Sequence, residues 1–315
     1  MPDASRPTVL DAGPDAIAVA AARLRAGGLV AVPTETVYGL AARADDDAAV
    51  AGIYRAKGRP SFNPLIVHVP DLAAARALAV FDERALRLAE RFWPGALTLV
   101  LPLRPDAGLA GAVTAGLATV ALRCPAHPVM RAVLMDAGLA LAAPSANASG
   151  AISPTSARHV VASLGGRIDL ILDAGECAAG IESTIVALRP EGGWQILRPG
   201  PVTGAQIAGV LGEEETRGGS GAIEAPGQLA SHYAPGKPVR LDARRAEPGE
   251  FLIGFGDIGG DTNLSASGDL AEAAARLYAA LHEGDASDRD SIAVAAIPGD
   301  GIGAAINDRL RRAAT

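Results

Sequence analysis

The chain has 315 residues, 49% of them hydrophobic, with 28 Lys+Arg against 35 Asp+Glu and a net charge of −7. That length suggests about two domains, while two cysteines, Cys124 and Cys177, exclude a disulfide framework and any metal-ligand spacing. Residues 241–315 hold 7 basic and 13 acidic side chains and residues 1–240 hold 21 and 22, so the first part is near neutral and no basic stripe for nucleic acid is present.

The N-terminus, MPDASRPTVLDAG, lacks a charged-then-apolar leader, and no apolar run is long enough to span a bilayer. The expected compartment is a reducing cytoplasm. Residues 15–26 read as an amphipathic helix stopped by Gly27-Gly28. The apolar run 29–32 reads as a buried strand ended by Pro33. The turn behind it, PTETVYGL (33–40), crowds Thr34, Glu35, Thr36 and Tyr38 together. Asp45-Asp46-Asp47 offers an N-cap to a helix running to residue 56. KGRPSFNPLIVH (57–68) then puts Lys57 and Arg59 on a Gly/Pro-punctuated loop ahead of a strand at 65–69. Two cations on such a loop suit an anion, most simply a phosphate. Lys57 and Lys237 are the chain's two lysines, so a compact ammonium at 57 stands out against an arginine background. A solvated helix-end residue is the alternative.

Helices are expected at 72–79 and 82–92, the second with Leu86 and Leu88 inward, then strands at 97–103 and 119–123, a helix at 127–137 and a strand at 139–142. That strand runs into PSANASG (144–150), whose small hydroxyl and amide side chains suit anion binding by turn N–H groups. An ordinary capped start for the helix at 157–164 is the competing reading. A strand at 170–172 precedes GIESTIV (180–186), again hydroxyls at a strand mouth, and a strand at 194–197 feeds Arg198-Pro199-Gly200. From 212 to 227 the composition turns acidic and Gly-rich, as in a linker. Its continuation, SHYAPGKP (231–238), carries an aromatic, a histidine and a lysine that a plain spacer does not need, so it is expected to fold back over something.

Strands at 251–255 and 292–297 alternate with helices at 270–282 and 303–314, which predicts a small α/β domain. GFGDIG (254–259) matches dinucleotide-binding spacing, but GDTN follows it in place of a helix, so it reads as a Gly-rich turn and not as the site of a nicotinamide-dependent oxidoreductase. HExxH, CxxC, GxSxG and Walker A signatures are absent. Cys124, beside Pro125, reads as a small core residue. The residues by themselves describe a pocket for a phosphate-bearing ligand and a small polar substrate, and do not name a reaction.

Taken in order, PTETVYGL, KGRPSFNPLIVH, FWPGALTLVL, TVALRCP, APSANASG, GIESTIV and ILRPGP resemble the successive motifs of the threonylcarbamoyl-AMP synthase family (YrdC-type domain), over residues 16–203. SHYAPGKP resembles the linker of that family's long form, and NLSASGDLAEAAARLYAALHEGD with AINDRLRRAA its C-terminal domain. The resemblance implies an α/β (α+β) fold: a YrdC-like twisted mixed sheet with flanking helices over 1–211, a linker over 212–239 that folds back over the active site, and a smaller Rossmann-like α/β domain over 240–315. It also implies a nucleotidyltransferase that makes threonylcarbamoyl-AMP from ATP, L-threonine and bicarbonate or CO₂, for downstream threonylcarbamoyl-transfer machinery acting on tRNA. An RNA-binding module of the same type is the alternative function.

By the same resemblance, Thr36, His68, Arg123 and Ser183 surround threonine or its carbamate. Lys57, Arg59, Asn63, Thr119, Ser145, Asn147, Thr155, Arg198 and Tyr233 fall on the nucleotide side, with Lys57 and Arg59 as the catalytic cations and Tyr233 closing the linker. His68 also reads as a satisfied histidine ending a strand. Glu35 reads as orienting its turn in preference to touching a metal. Mg²⁺ is expected with ATP, held by phosphates and water and not by protein side chains. Neither a membrane nor a stable nucleic-acid complex is expected.

Overall fold

Short-range signals set most element boundaries. Asp46 accepts from the N–H groups of Ala48 and Ala49 to start the Asp47–Lys57 helix, and Gly58 ends it at φ +62°. Asp71, Asp82 and Asp269 cap the helices Leu72–Leu78, Glu83–Phe92 and Leu270–Ala286 in the same manner. Pro128 opens the Pro128–Ala137 helix, where its missing N–H costs nothing. The structure, a computed structural model, describes residues 6–189, 191–216, 224–228 and 232–315.

Ten strands form one mixed sheet in the spatial order Thr8–Asp11, Leu170–Asp173, Val30–Val32, Gly39–Arg43, Leu141–Ala142, Ile66–His68, Thr119–Arg123, Leu97–Pro102, Thr184–Leu188, Trp194–Arg198. The central strands Val30–Val32 and Ile66–His68 are buried throughout, so hydrophobicity without alternation identifies them. Helices Pro14–Arg25 and Pro128–Ala137 pack together on the sheet over one apolar cluster that includes Leu24, Met130 and Leu134. A larger cluster, with Leu40, Ile53, Leu88, Leu99 and Trp194, fills the rest of the first domain.

The second domain is a four-stranded, all-parallel sheet, Val239–Arg240, Ser291–Val294, Glu250–Gly254 and Thr262–Asn263, with helices Leu270–Ala286 and Gly303–Ala313. This is the Rossmann-like arrangement that the sequence suggests. GFGDIG forms a tight turn, with Gly256 at φ +57° and Phe255 bridging to Ile258, and leads to a two-residue strand in place of a helix. No helix N-terminus awaits a pyrophosphate there.

The two domains share a core. Val37, Ile152, Ile181 and Tyr233 from the first domain and the linker pack in one cluster with Leu277, Tyr278, Ile292 and Ile306 of the second. Gly180 (φ +68°) lies so close to the Leu270–Ala286 helix that a Cβ would strike the Ala275 backbone. His159 stacks on His282 at 3.9 Å, and Ala234 of the linker bridges to Ala151.

Several elements escaped the sequence reading. Thr8–Asp11 is a short, largely exposed edge strand, and Gly39–Arg43 is an Ala-rich strand whose burial comes from its neighbours. Gly204–Leu211 is a helix, and its signal was present: Thr203 and Gln206 form a capping box. Val239 begins the second sheet and so does not belong to the linker, and Leu86 is only half-buried beside the buried Leu88.

Gly180→Ala should destabilise the protein by about 2 kcal/mol, because it adds both left-handed strain and a backbone clash at the domain junction. Calorimetry together with limited proteolysis between the domains will measure it. An unchanged melting point would show that the close approach is dispensable.

Candidate active site between the sheet and the linker

Parallel pairing places His68 opposite Arg123 at the ends of adjacent strands, so both side chains emerge at one sheet edge. The 33–38 turn crosses that edge. Arg123 donates from Nη1 to Thr36 Oγ1 at 2.9 Å, from Nη2 to Glu35 Oε1 at 2.6 Å, and from Nε to the Gly95 carbonyl at 3.1 Å. Burial would raise the Glu35 carboxyl, but the Arg123 charge and hydrogen bond, joined by backbone hydrogen bonds, together hold the group at about 2. Glu35 therefore orients both the arginine and, through the His127 N–H, the next helix start. Both Arg123 terminal nitrogens are already engaged, so a substrate carboxylate meets only the N–H bonds that remain on them.

Thr184–Leu188 and Trp194–Arg198 supply the facing wall. Arg198 donates from Nε to the Ser183 carbonyl at 3.1 Å and from Nη2 to Ser183 Oγ at 3.2 Å, and that hydroxyl shares a 2.8 Å hydrogen bond with Thr98. Arg59 donates to the carbonyls of Asn63 and Pro64. Burial lowers the pKa of both arginines, that of Arg59 to about 10.

Thr36, Arg59, His68, Arg123, Ser145, Ser183 and Arg198 line one cavity, and Pro226, Gly227, His232 and Tyr233 of the linker roof it. Its volume is about 40 Å³, room for a few waters and far too little for a nucleotide. Ser231 of the SHYAPGKP segment lies outside the described residues, as do 217–223, 229 and 230.

Five of the expected residues do not reach the cavity wall. Lys57 ends its helix buried, with Nζ donating to the carbonyls of Ser145 and Asn147, each at 2.6 Å. Burial, with Arg59 nearby, pulls its pKa well below the usual lysine range. The ammonium thus braces the 145–147 loop and keeps one N–H in hand. Asn147 donates to the carbonyls of Ala148 and Ala151, and Thr155 bonds His159. Asn63 sits beneath Arg59, which its carbonyl anchors. Thr119 opens the strand that Arg123 ends, about 13 Å away along it at the rise of a β-strand.

Glu182 is the functional-looking residue the sequence reading missed. It lines the cavity, is buried, and accepts from Ser153 Oγ at 2.5 Å, Tyr278 OH at 2.9 Å and Arg309 Nε at 2.8 Å. Burial would raise its carboxyl, yet Arg309 and then Arg198 bring it to about 2. A carboxylate amid the hydroxyls of GIESTIV was visible, but two of its partners, Tyr278 and Arg309, lie in the second domain. Removing one member of such a pair leaves a lone buried charge, at a cost of about 3–5 kcal/mol.

Three cavity-lining residues, His68, His232 and Tyr233, carry buried polar atoms without a partner. Among the described residues the full set of such atoms is Asn63 Oδ1, His68 Nδ1, Asn147 Oδ1, Ser156 Oγ, His232 Nδ1, Tyr233 OH and Arg309 Nη2. An unmet buried polar group is costly, so the three at the cavity are open to a polar ligand. His68 is not a satisfied strand-end histidine, and burial beside Arg123 holds it neutral, at about 3. Cys124 and Cys177 are buried thiols whose pKa burial raises, that of Cys177 to about 12, which suits core packing and not nucleophilic attack.

These shifts set the pH dependence of stability. His68, His159 and His232 are held near 3 against an ordinary 6.5, and Glu35 and Glu182 near 2 against 4.5, all of them depressed. The unfolded chain therefore binds protons that the folded one refuses, and stability falls as pH drops below those ordinary values. The melting temperature should decline from about pH 6.5 downward and steepen below about pH 4.5 as the carboxylates join. Calorimetry giving a flat profile between those limits would contradict the neutral, buried histidines.

Comparison with known proteins places both halves of the chain. Residues 22–200 match the Sua5/YciO/YrdC family model, described as "Telomere recombination", and residues 202–315 match one described as "Threonylcarbamoyl-AMP synthase, C-terminal domain". A threonylcarbamoyl-AMP synthase of Bacillus subtilis is 44% identical over 95% of this chain and 92% of its own. One from Pyrococcus abyssi is 40% identical over 94% and 93%. The crystal structure of P. abyssi Sua5 complexed with L-threonine superposes with a TM-score of 0.86 at 37% identity, covering 95% of this chain and 94% of that one. With both halves of the chain matched and the cavity formed where those halves meet, this protein belongs to the threonylcarbamoyl-AMP synthase family, in its two-domain form.

Proposed function

We propose that this protein converts L-threonine, bicarbonate and ATP into threonylcarbamoyl-AMP, diphosphate and water. The observation that carries this reading is the convergence of Arg59, Arg123 and Arg198 with Thr36, His68 and Ser183 on one roofed cavity. Its relatives are named for this product, and one of them is solved with L-threonine.

The chemistry asks for positioning above all. The threonine amine, once unprotonated, adds to CO₂, and an oxygen of the resulting carbamate attacks the α-phosphorus of ATP as diphosphate leaves. Holding a short-lived carbamate in line with a phosphate and away from water supplies most of the rate. Neutral His68, with Nδ1 unpaired, suits the amino group, and Thr36 and Ser183 suit the threonine hydroxyl and carboxylate beside Arg123. Arg59 and Arg198 stabilise charge on the transferring phosphate. Ser145 touches the nucleotide directly, and Lys57 acts by bracing the loop that carries it. Asn63, Asn147 and Thr155 support that side, Thr119 reaches the far end of the nucleotide, and Tyr233 covers it.

Mg²⁺ enters with ATP and neutralises phosphate charge. Glu35 and Glu182 are each engaged by an arginine, and the ion would be held largely by phosphate oxygens and water. The product serves threonylcarbamoyl transfer to the tRNA adenosine beside the anticodon. Among the described residues no helix is long and apolar enough to cross a membrane.

Purified protein should release diphosphate from ATP only when L-threonine and bicarbonate are both supplied. Arg59→Ala or Arg198→Ala should lower kcat by about 10²–10³-fold, as loss of a transition-state donor does. Lys57→Ala should lower activity and also cost about 1–3 kcal/mol of stability, because two buried carbonyls lose their donor. Diphosphate release indifferent to threonine would refute the reaction, and salt-sensitive RNA retention without turnover would point to an RNA-binding module instead.

A further inference from the structure

The buried charge that joins the two domains also touches the roof of the cavity. Arg309, on the Gly303–Ala313 helix of the second domain, has no exposed surface. Its Nε donates to Glu182 Oε2 at 2.8 Å, and its Nη1 donates to Asp308 Oδ2 at 2.8 Å. Its guanidinium carbon stands 5.1 Å from the centroid of the Tyr233 ring. One planar cation therefore grips, by its edge, the carboxylate that immediately precedes Ser183, and supports, by its face, the aromatic cover of the site.

Docking alone does not call for this arrangement. The domains already share an apolar core, and apolar side chains of similar volume hold such a junction at least as well as a buried ion pair. What the pair adds is direction. Tyr233 sits at φ +63°, a conformation that a bulky residue keeps only when its surroundings over-determine it. Its hydroxyl has no partner, so no hydrogen bond fixes the ring; beside the apolar cluster it shares with Val37, Ile152 and Ile181, it meets His232 at 4.1 Å, Tyr278 at 5.8 Å and the Arg309 guanidinium. Tyr278 in turn donates to Glu182, closing a ring of contacts that begins and ends at the cavity wall.

We propose that Arg309 is a positioning residue for the active site: it seats Tyr233 over the nucleotide side of the cavity and, through Glu182, keeps Ser183 and its partner Arg198 aligned beneath that cover. The second domain reaches the active site through this side chain and through Tyr278, which donates to the same carboxylate. The kinetic part of the proposal rests on the reaction proposed above; the structural part does not.

Arg309→Lys keeps the charge and loses both the fork and the planar face. Amide hydrogen exchange across residues 232–238 should accelerate by about tenfold in this variant, as local opening becomes easier. The KM for ATP should rise by about tenfold while the KM for threonine changes less than about twofold. In a Tyr233→Ala background the same substitution should add nothing further to the loss in ATP use, since the effect passes through that ring.

Unchanged exchange at 232–238, or losses that multiply in the double variant, would overturn the proposal. If Arg309→Lys fails to fold, the paired variant Glu182→Gln/Arg309→Met, which leaves no lone buried ion, is read by the same exchange measurement. If the wild-type protein forms no threonine-dependent diphosphate, the proposed reaction fails, and the exchange arm still decides whether Arg309 holds the cover.

Discussion

Desolvated positive charge is the constraint on which this structure depends. Lys57, Arg59, Arg123, Arg198 and Arg309 are all buried, around or just behind one cavity. Moving such ions out of water is expensive unless each finds acceptors. Three carboxylates and a set of backbone carbonyls provide them: Glu35 for Arg123, Glu182 and Asp308 for Arg309, and the carbonyls of Ser145, Asn147, Asn63, Pro64, Ser183 and Gly95. The irregular loops of the motifs are irregular because their carbonyls must turn toward these cations and away from a β-ladder. The basic side chains of this group still outnumber those three carboxylates.

The same constraint explains the second domain. A cavity this rich in cations would bind water and ions if it stood open, and its electrostatic interactions would weaken. Linker residues Pro226, Gly227, His232 and Tyr233 roof it, and the packing of Tyr233 and Ile181 into the second domain's core holds that roof down. The linker is therefore not a spacer between independent bodies. Gly180 shows how tight the join is, since no side chain fits between its strand mouth and the helix above it.

Strain and unmet hydrogen bonds concentrate at this junction. Tyr233 adopts a left-handed conformation, and six of the seven unpaired buried polar atoms among the described residues belong to expected site residues, to His232 or to Arg309. A protein bears such local costs where a ligand will meet the unpaired groups and the surrounding core is large enough to compensate.

Much of this was legible before any coordinates. Asp46, Gly58 and Pro128 declare helix ends because capping acts within three or four residues, and the Thr203–Gln206 capping box carried the same signal for a helix that was overlooked. The motif order and the cations of the 57–68 loop identified the family, and GFGDIG was rightly set aside because the helix its chemistry requires does not follow. What only the tertiary structure decided is which groups oppose which. Lys57 turns to backbone carbonyls instead of the cavity, Arg123 is partly spent on Glu35 and Thr36, and Glu182 meets Arg309 from 127 residues away. Local propensity acts over a few residues and is written in the chain, whereas the partner of a buried charge depends on which distant side chains the packed sheet and helices bring together.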